Sequence, residues 1–125
     1  MWRPSVEEIL RLHQKLIERT GGATGVRSVP LIESALQRFS ASFGECEAYQ
    51  ALEEKAAAVT CGLIQNHGFI DGNKRVGVEA MRLILAMNDV VICYAQKELV
   101  DLGLAVAQGS MDVMHVAEWI RQRKA

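Results

Sequence analysis

A chain of 125 residues has room for one domain and no second, and with 50% hydrophobic and 23% charged residues it can build a buried core. Fourteen Lys and Arg against fifteen Asp and Glu give a net charge of -1, which excludes direct nucleic-acid binding through a general excess of positive charge. The longest nearly apolar runs, 56–64 and 90–95, fall well short of the ~18–20 residues that cross a bilayer, the first residues carry acid where a leader would be apolar, and no membrane association and a cytoplasmic location are expected.

Val6, Ile9, Leu10, His13, Leu16 and Ile17 recur at helical spacing and predict an amphipathic first helix. Ser5 with Glu8 three residues on forms a capping box at its start. Gly21-Gly22 ends it, because glycine enters a left-handed conformation without steric penalty, and a glycine-rich connector, 21–27, follows. Pro30 at a helix start, with Leu31, Ala35 and Leu36, predicts a short second helix that fades near Phe39. Residues 40–47 contain Gly44 and no helical period, so a loop or short hairpin is expected there. Leu52, Ala56, Val59 and Leu63 predict a long helix from about Ala48 to near Gln65, and Ala56-Ala57-Ala58 marks a close contact with a neighbour. After a turn-rich break at 67–72, Val76, Ala80, Leu83, Ile84 and Met87 share one face of a helix over 73–87, with Asn88 as its left-handed terminator. The β-branched run 90–94 is a strand or an extended buried connector, and one short strand makes no sheet. Two helices complete the chain: 97–107, closed by Gly109, and 111 to about 123, capped by Ser110 and carrying basic residues in its last turn. The expected fold is all-α, a single compact domain over 1–125 of about six helices, with a short β-hairpin or extended segment as its one addition.

Cys46, Cys61 and Cys93 are odd in number, widely spaced and without a C-x-x-C pair. That pattern argues against a disulfide framework and a zinc site and leaves three buried or half-buried thiols. Met81, Met87, Met111 and Met114 read as packing residues, Arg121, Arg123 and Lys124 as a solvated helix end, and His13 and His115 as partly buried or surface residues with no assigned role.

The densest chemistry lies in Asn66-His67-Gly68-Phe69-Ile70-Asp71-Gly72-Asn73-Lys74-Arg75, where a loop becomes a helix. The first N–H groups of a helix have no internal partner and lie at the positive end of its dipole, so the turn Gly72-Asn73-Lys74 can hold an anion, most naturally a phosphate. Gly72 admits close approach to the backbone, and Lys74 and Arg75 add two positive charges, the guanidinium able to grip two oxygens at once. Asp71 supplies a hard oxygen suited to Mg²⁺, which binds through one or two carboxylates together with the phosphates of the substrate. His67 is the candidate general base for an incoming hydroxyl. The set describes phosphate-ester transfer. It is not a Walker loop, which needs G-x-x-x-x-G-K-[ST], since Asn73 stands five residues after Gly68 and Arg75 follows Lys74. Nor is 21–25 a dinucleotide fingerprint, for no strand precedes it. Asp71-Gly72-Asn73 alone would be an ordinary turn and helix start; His67, Lys74 and Arg75 are what lift it above that reading.

In order, His67-x-Phe69-x-Asp71-Gly72-Asn73-Lys74-Arg75 resembles the signature of the Fic/Doc family, H-x-F-x-[D/E]-G-N-[G/K]-R. Seven specified positions coincide by chance in one short chain far less than once in ~10⁵. Gly21-Gly22-x-x-Gly25-Val26-Arg27, Leu31-x-x-Ser34-Ala35-Leu36, Glu54-Lys55-Ala56-Ala57 and Trp119-Ile120 are similar to landmarks of the short death-on-curing branch, so the resemblance covers most of the chain. Departures are Gly68 where many relatives have Pro, Ser28 where Asp is frequent, and Val76 where Thr is common. The resemblance implies the small helical core of that family and a Doc-like toxin of a toxin-antitoxin pair.

It also implies a reaction. Adenylylating members carry glycine at the position of Lys74 and a second arginine at that of Val78, and this chain has neither. The lysine is taken to reverse the bound nucleotide, so that the γ-phosphate of ATP passes to a Ser or Thr hydroxyl of a target protein, with a translation elongation factor as a candidate target. By the same carry-over His67 is the base, Asp71 the Mg²⁺ ligand, Gly72, Asn73, Lys74 and Arg75 the phosphate and nucleotide cradle, and Phe69 the anchor of the loop. Some members inhibit themselves through a helix with [S/T]-x-x-x-E-[G/N]; no Ser or Thr here has Glu four residues on, so the implied inhibitor is a separate, Phd-like antitoxin chain. The analogy makes 43–49 a flap that aligns the target by strand addition. Two other readings stay open: a Fic-type adenylyl or nucleotidyl transferase using the same cradle, and a catalytically inactive module that binds antitoxin or nucleotide.

Overall fold

Six helices and one two-stranded hairpin make up the regular structure of the computed structural model, which describes residues 1–125. In chain order they are α1 (Val6–Thr20), α2 (Val29–Gln37) with a 3-10 turn after it (Arg38–Ser40), the hairpin strands β1 (Ser42–Phe43) and β2 (Cys46–Glu47), α3 (Leu52–Asn66), α4 (Asn73–Met87), α5 (Gln96–Ala107) and α6 (Val113–Arg123). The all-α expectation and the count of helices hold.

The axis is α3. Eleven of its fifteen residues are buried, including the whole run from Lys55 to Ile64. A helix apolar or small on every side must be surrounded, and α2, α4, α5 and α6 all pack against it. Three successive alanines keep that crowding sterically possible. The outer helices bury one stripe each: Ile9, His13, Leu16 and Ile17 on α1, Leu99, Leu102, Gly103 and Val106 on α5, Val116, Ala117, Trp119 and Ile120 on α6. No helix is long and apolar enough to cross a membrane.

Local rules fix most boundaries. Ser5 accepts the Glu8 N–H at 3.2 Å while the Glu8 carboxylate accepts the Ser5 N–H at 3.0 Å, closing the expected capping box, and Gly21 closes α1 by donating its N–H to the Ile17 carbonyl at 2.8 Å. Ser28 caps α2 through the Leu31 N–H, with Pro30 in the first turn. The segment 40–47 is a hairpin, antiparallel with Ser42 opposite Glu47 and Phe43 opposite Cys46.

Several expectations need correction. The third long helix starts at Leu52, not near Ala48, because the Ala48 N–H extends the hairpin ladder to the Ala41 carbonyl at 2.8 Å. Asn88 is not left-handed. Its neighbour Asp89 is, at φ 63, while the Asn88 side chain exchanges hydrogen bonds with the Trp2 backbone. The last helix is capped by Asp112, whose carboxylate accepts the His115 N–H at 3.0 Å, and Ser110 lies outside it. Residues 90–94 form an extended connector whose one bridge pairs Ile92 with Lys124. The basic end of α6 is tied down: Arg123 pairs with Glu98 at 2.6 Å and covers the Trp119 ring, and Lys124 pairs with Glu53. All three cysteines are free, but only Cys61 is buried, its thiol pushed up to about 11 by that burial, whereas Cys46 and Cys93 are exposed. Met81 is a packing residue and Met111 packs partly buried against the core, while Met87 and Met114 are exposed.

Candidate active site

The loop that joins α3 to α4 is shaped both by bonds of its own, made by Asn73 and Asp71, and by the segments around it. His67 closes α3 in the left-handed conformation (φ 52, ψ 50), uncommon for a non-glycine residue although histidine is among those that enter it more readily, and a neighbour supports it there. Here the neighbour is Arg27, whose Nε donates to the His67 carbonyl at 2.9 Å. The connector 25–28 runs alongside, the N–H groups of Arg27 and Ser28 reaching the Gly68 carbonyl and the Ile70 N–H reaching the Gly25 carbonyl, with Val26 and Phe69 paired as a short antiparallel bridge. The Phe69 ring is 2% exposed and part of the core cluster. His67, by contrast, is exposed, and its imidazole makes no hydrogen bond within the chain.

The chain then turns into α4 through Gly72, which takes φ 81 at the N-cap. A side chain there would meet Ile17 at 3.2 Å and the His13 ring at 3.4 Å, so glycine meets both the conformational and the steric demand. No side chain caps α4. The first ladder bond is Val76 N–H to Gly72 carbonyl at 2.9 Å, which leaves the N–H groups of Asn73, Lys74 and Arg75 without a partner at the positive end of a fifteen-residue helix. N–H groups so placed have the chemistry to accept an anion.

The sequence-selected side chains divide around it. Asn73 is used internally: its Oδ1 accepts the Phe69 N–H at 3.1 Å and its Nδ2 donates to the Phe69 carbonyl at 3.0 Å, so what it offers an anion is its backbone N–H. Arg75 donates to Thr20 Oγ1 at 2.6 Å and to the Gly21 carbonyl at 2.8 Å, and lies 3.6 Å from Asp71. Lys74 is exposed and makes no hydrogen bond within the chain, leaving it the free cation. The Asp71 carboxylate accepts N–H groups from Ala23 at 3.1 Å and Gly72 at 2.8 Å. Those two bonds, Ala23 first and then Gly72, with Arg75 adding to them, hold its carboxyl below the usual carboxylate range.

No group of three or more His, Cys, Asp or Glu side chains gathers to hold a metal ion. The donor chemistry still fits Mg²⁺, because two carboxylate oxygens have about four lone-pair positions and the two N–H groups take one on each oxygen. Asp71 is therefore a pre-set single ligand of the kind Mg²⁺ shares with substrate phosphates.

Two contributors were not evident from sequence. The connector glycines are more than a spacer: a Cβ on Gly22 would stand 2.6 Å from Asp71 Oδ2 and 3.0 Å from Arg75 Nη2, so its absence lets Ala23 reach the carboxylate. His13, left without a role, stacks on Phe69 and bonds to the Asp71 carbonyl. Its signal was a polar residue at a position on the apolar stripe of α1. Beside the helix start, α1, α4 and α5 also line a cavity of about 280 Å³, apolar through Leu16, Val78, Leu99, Val100 and Leu104, with Arg19, Lys74 and Arg75 as its cations and Glu79, paired with Arg82, as its acid; it does not include His67 or Asp71.

A small all-α protein whose two central helices are joined by a loop carrying an exposed histidine, an aspartate and an open helix start is the class that fold and site define. Residues 3–85 match the model of the Fic/DOC family, and the chain belongs to the Fic/Doc family, in its Doc-like branch. It is 31% identical over 118 residues to the protein kinase Doc of Escherichia phage P1, which covers 94% of this chain and 92% of that protein. It is 39% identical over 70 residues to the toxin Doc of Mycolicibacterium smegmatis, covering 56% of this chain and 54% of the other.

Proposed function

We propose that this chain is a Doc-like toxin of the cytoplasm that transfers the γ-phosphate of ATP to a Ser or Thr hydroxyl of a target protein. The observation that carries the proposal is the uncapped start of α4: three unpartnered N–H groups, a lysine with no other engagement and a carboxylate held deprotonated, within five residues of one another. The phage relative described as a protein kinase supports the choice of reaction. In the transfer the N–H groups of 73–75 and Lys74 hold phosphate oxygens; Asp71 would hold Mg²⁺, which would supply charge neutralisation on those oxygens. His67 takes the proton of the incoming hydroxyl as the new O–P bond forms, and the electron pair of the broken β–γ bond leaves on the ADP oxygen. Phe69 keeps the loop seated.

A translation elongation factor as target, and a separate Phd-like antitoxin as inhibitor, follow from the family resemblance. The apolar cavity between α1, α4 and α5 is the proposed seat of an acidic amphipathic antitoxin helix, chosen for charge complementarity with Arg19 and Lys74, since the one acid of the lining, Glu79, is already paired with Arg82. An antitoxin tail added in excess should raise Tm by linkage and stop transfer; absence of both effects would refute that seat.

The test of the reaction is incubation of purified protein with cell extract, magnesium and ATP labelled at either the α or the γ position. Label from the γ position on a Ser or Thr, with a mass gain of about 80 Da, supports phosphoryl transfer. Label from the α position, with about 329 Da, would replace it by adenylyl transfer.

A further inference from the structure

We propose that His13 is a positioning residue of the phosphate site, acting through the peptide unit between Asp71 and Gly72. The inference deepens the proposed function and rests on it for its functional half. His13 lies on α1, 58 residues before the loop, and is 3% exposed in a stripe otherwise formed by Ile9, Leu16 and Ile17. A buried polar ring needs a partner, and it has one at 2.7 Å: its Nε2 faces the Asp71 carbonyl. A carbonyl only accepts, so Nε2 carries the proton and donates it. The ring face lies on Phe69, with centroids 3.8 Å apart and planes 11° from parallel. One side chain therefore grips the loop at two points on either side of Ile70.

The consequence follows from peptide planarity. The Asp71 carbonyl and the Gly72 N–H belong to one rigid unit, so fixing the first fixes the second. The Gly72 N–H is one of the two backbone donors on the Asp71 carboxylate, at 2.8 Å. The hydrogen bond from His13 thus sets the direction of a donor that orients the carboxylate, while the stacked ring sets the height of the loop above α1. Outer partners of this kind change metal affinity by about 10- to 100-fold when removed, without touching the metal.

Histidine combines two properties that substitutions separate. His13→Phe keeps a flat ring for Phe69 and removes the donor; His13→Gln keeps a donor and removes the ring. Two measurements are needed. The first, independent of any activity, is amide hydrogen exchange at Gly72, with amides of α3 as the internal reference. His13→Phe should speed exchange at Gly72 by at least about tenfold while the α3 amides stay as in the native chain, and His13→Gln should restore most of the protection. The second is calorimetric binding of ATP with magnesium and with EDTA. Affinity for MgATP should fall by about tenfold or more in His13→Phe and recover in His13→Gln, while binding in EDTA changes little. Unchanged Gly72 exchange in His13→Phe, or equal losses of MgATP and metal-free ATP binding, would overturn the inference and reduce His13 to a core residue. If the native chain bound no ATP under either condition, the proposed function would fail, and Gly72 exchange would still decide whether His13 positions the loop.

Discussion

Asn73 separates two roles that one residue of a phosphate loop can have. If its side chain is a staple, replacing it by alanine removes the bonds to both backbone groups of Phe69. Each such bond contributes about 1 kcal/mol net, and Phe69 is buried, so water cannot readily replace them. Alanine returns at most about 0.6 kcal/mol through its helix propensity. The expected loss is about 1.5 kcal/mol. For a chain of 125 residues the entropy of unfolding near 60 °C is about 0.26 kcal/mol/K, so Asn73→Ala should lower Tm by about 6 °C in the absence of any nucleotide. Asn73→Asp should not rescue it: the carboxylate still accepts the Phe69 N–H but meets the Phe69 carbonyl with like charge. Lys74→Ala is the control, since that side chain is exposed and unpartnered, and its Tm should stay within about 2 °C of the native value. Thermal unfolding followed by circular dichroism reads all three. An unchanged Tm in Asn73→Ala, together with lost ATP binding, would show that the amide serves the ligand and refute the staple.

His67→Ala should leave Tm within about 2 °C, because the imidazole has no partner in the chain, and should lower the transfer rate by about 10² to 10⁴, read with γ-labelled ATP. Asp71 carries a pH signature whose sign is fixed by its lowered carboxyl: the stability it contributes is complete above the ordinary value of 3.8 and is lost as pH falls through the lower folded value. The stability difference between the native chain and Asp71→Asn should accordingly shrink as urea titrations move from pH 5 towards pH 3; a constant difference would show that the bonds from Ala23 and Gly72 are not formed in solution. A thiol reagent such as dithiobisnitrobenzoate should modify the exposed Cys46 and Cys93 in the folded protein and reach Cys61 only on unfolding, since burial both shields that thiol and raises its pKa to about 11.

What could be read from the sequence was local. The capping box of Ser5 and Glu8, the end of α1 at Gly21 and the loop-to-helix change at 67–73 each involve residues within a few positions of one another, and each is found as expected. The misplaced boundaries have local competitors. Ser110 and Asp112 are both cap residues by type, and only Asp112 has the three-residue spacing to the N–H it serves. Ala48 has good helix propensity but its N–H is claimed by the hairpin. The contacts that shape the loop were illegible for a different reason. Ala23 is 48 residues from Asp71, Arg27 is 40 from His67 and His13 is 58 from Asp71, so no periodicity or spacing rule links them. A glycine-rich connector reads the same whether it idles in solvent or lies against a carboxylate; what distinguishes the two is that a Cβ on Gly22 would stand 2.6 Å from Asp71 Oδ2.

The loop breaks the rules of local stability twice within nine residues, at a left-handed histidine and at a helix start with no cap. The first costs on the order of 1 kcal/mol and the second forgoes about 1 kcal/mol that a Ser or Asp cap supplies elsewhere in this chain. Elsewhere no buried side-chain nitrogen or oxygen lacks a hydrogen-bond partner, and the starts of α3 and α5, which also have no capping side chain, carry acids in the first turn (Glu53 and Glu54, and Glu98) that complement the dipole. Both departures also need external support, the histidine from Arg27 and the helix start from Gly72 packed on α1. Among the six helices α4 alone lacks both a capping side chain and an acid in its first turn, and it carries Lys74 and Arg75 there instead. A cap would satisfy the N–H groups of α4 and so fill the position an anion needs. An open helix start with two cations where acids would complement the dipole is the physical argument for a phosphate at this site.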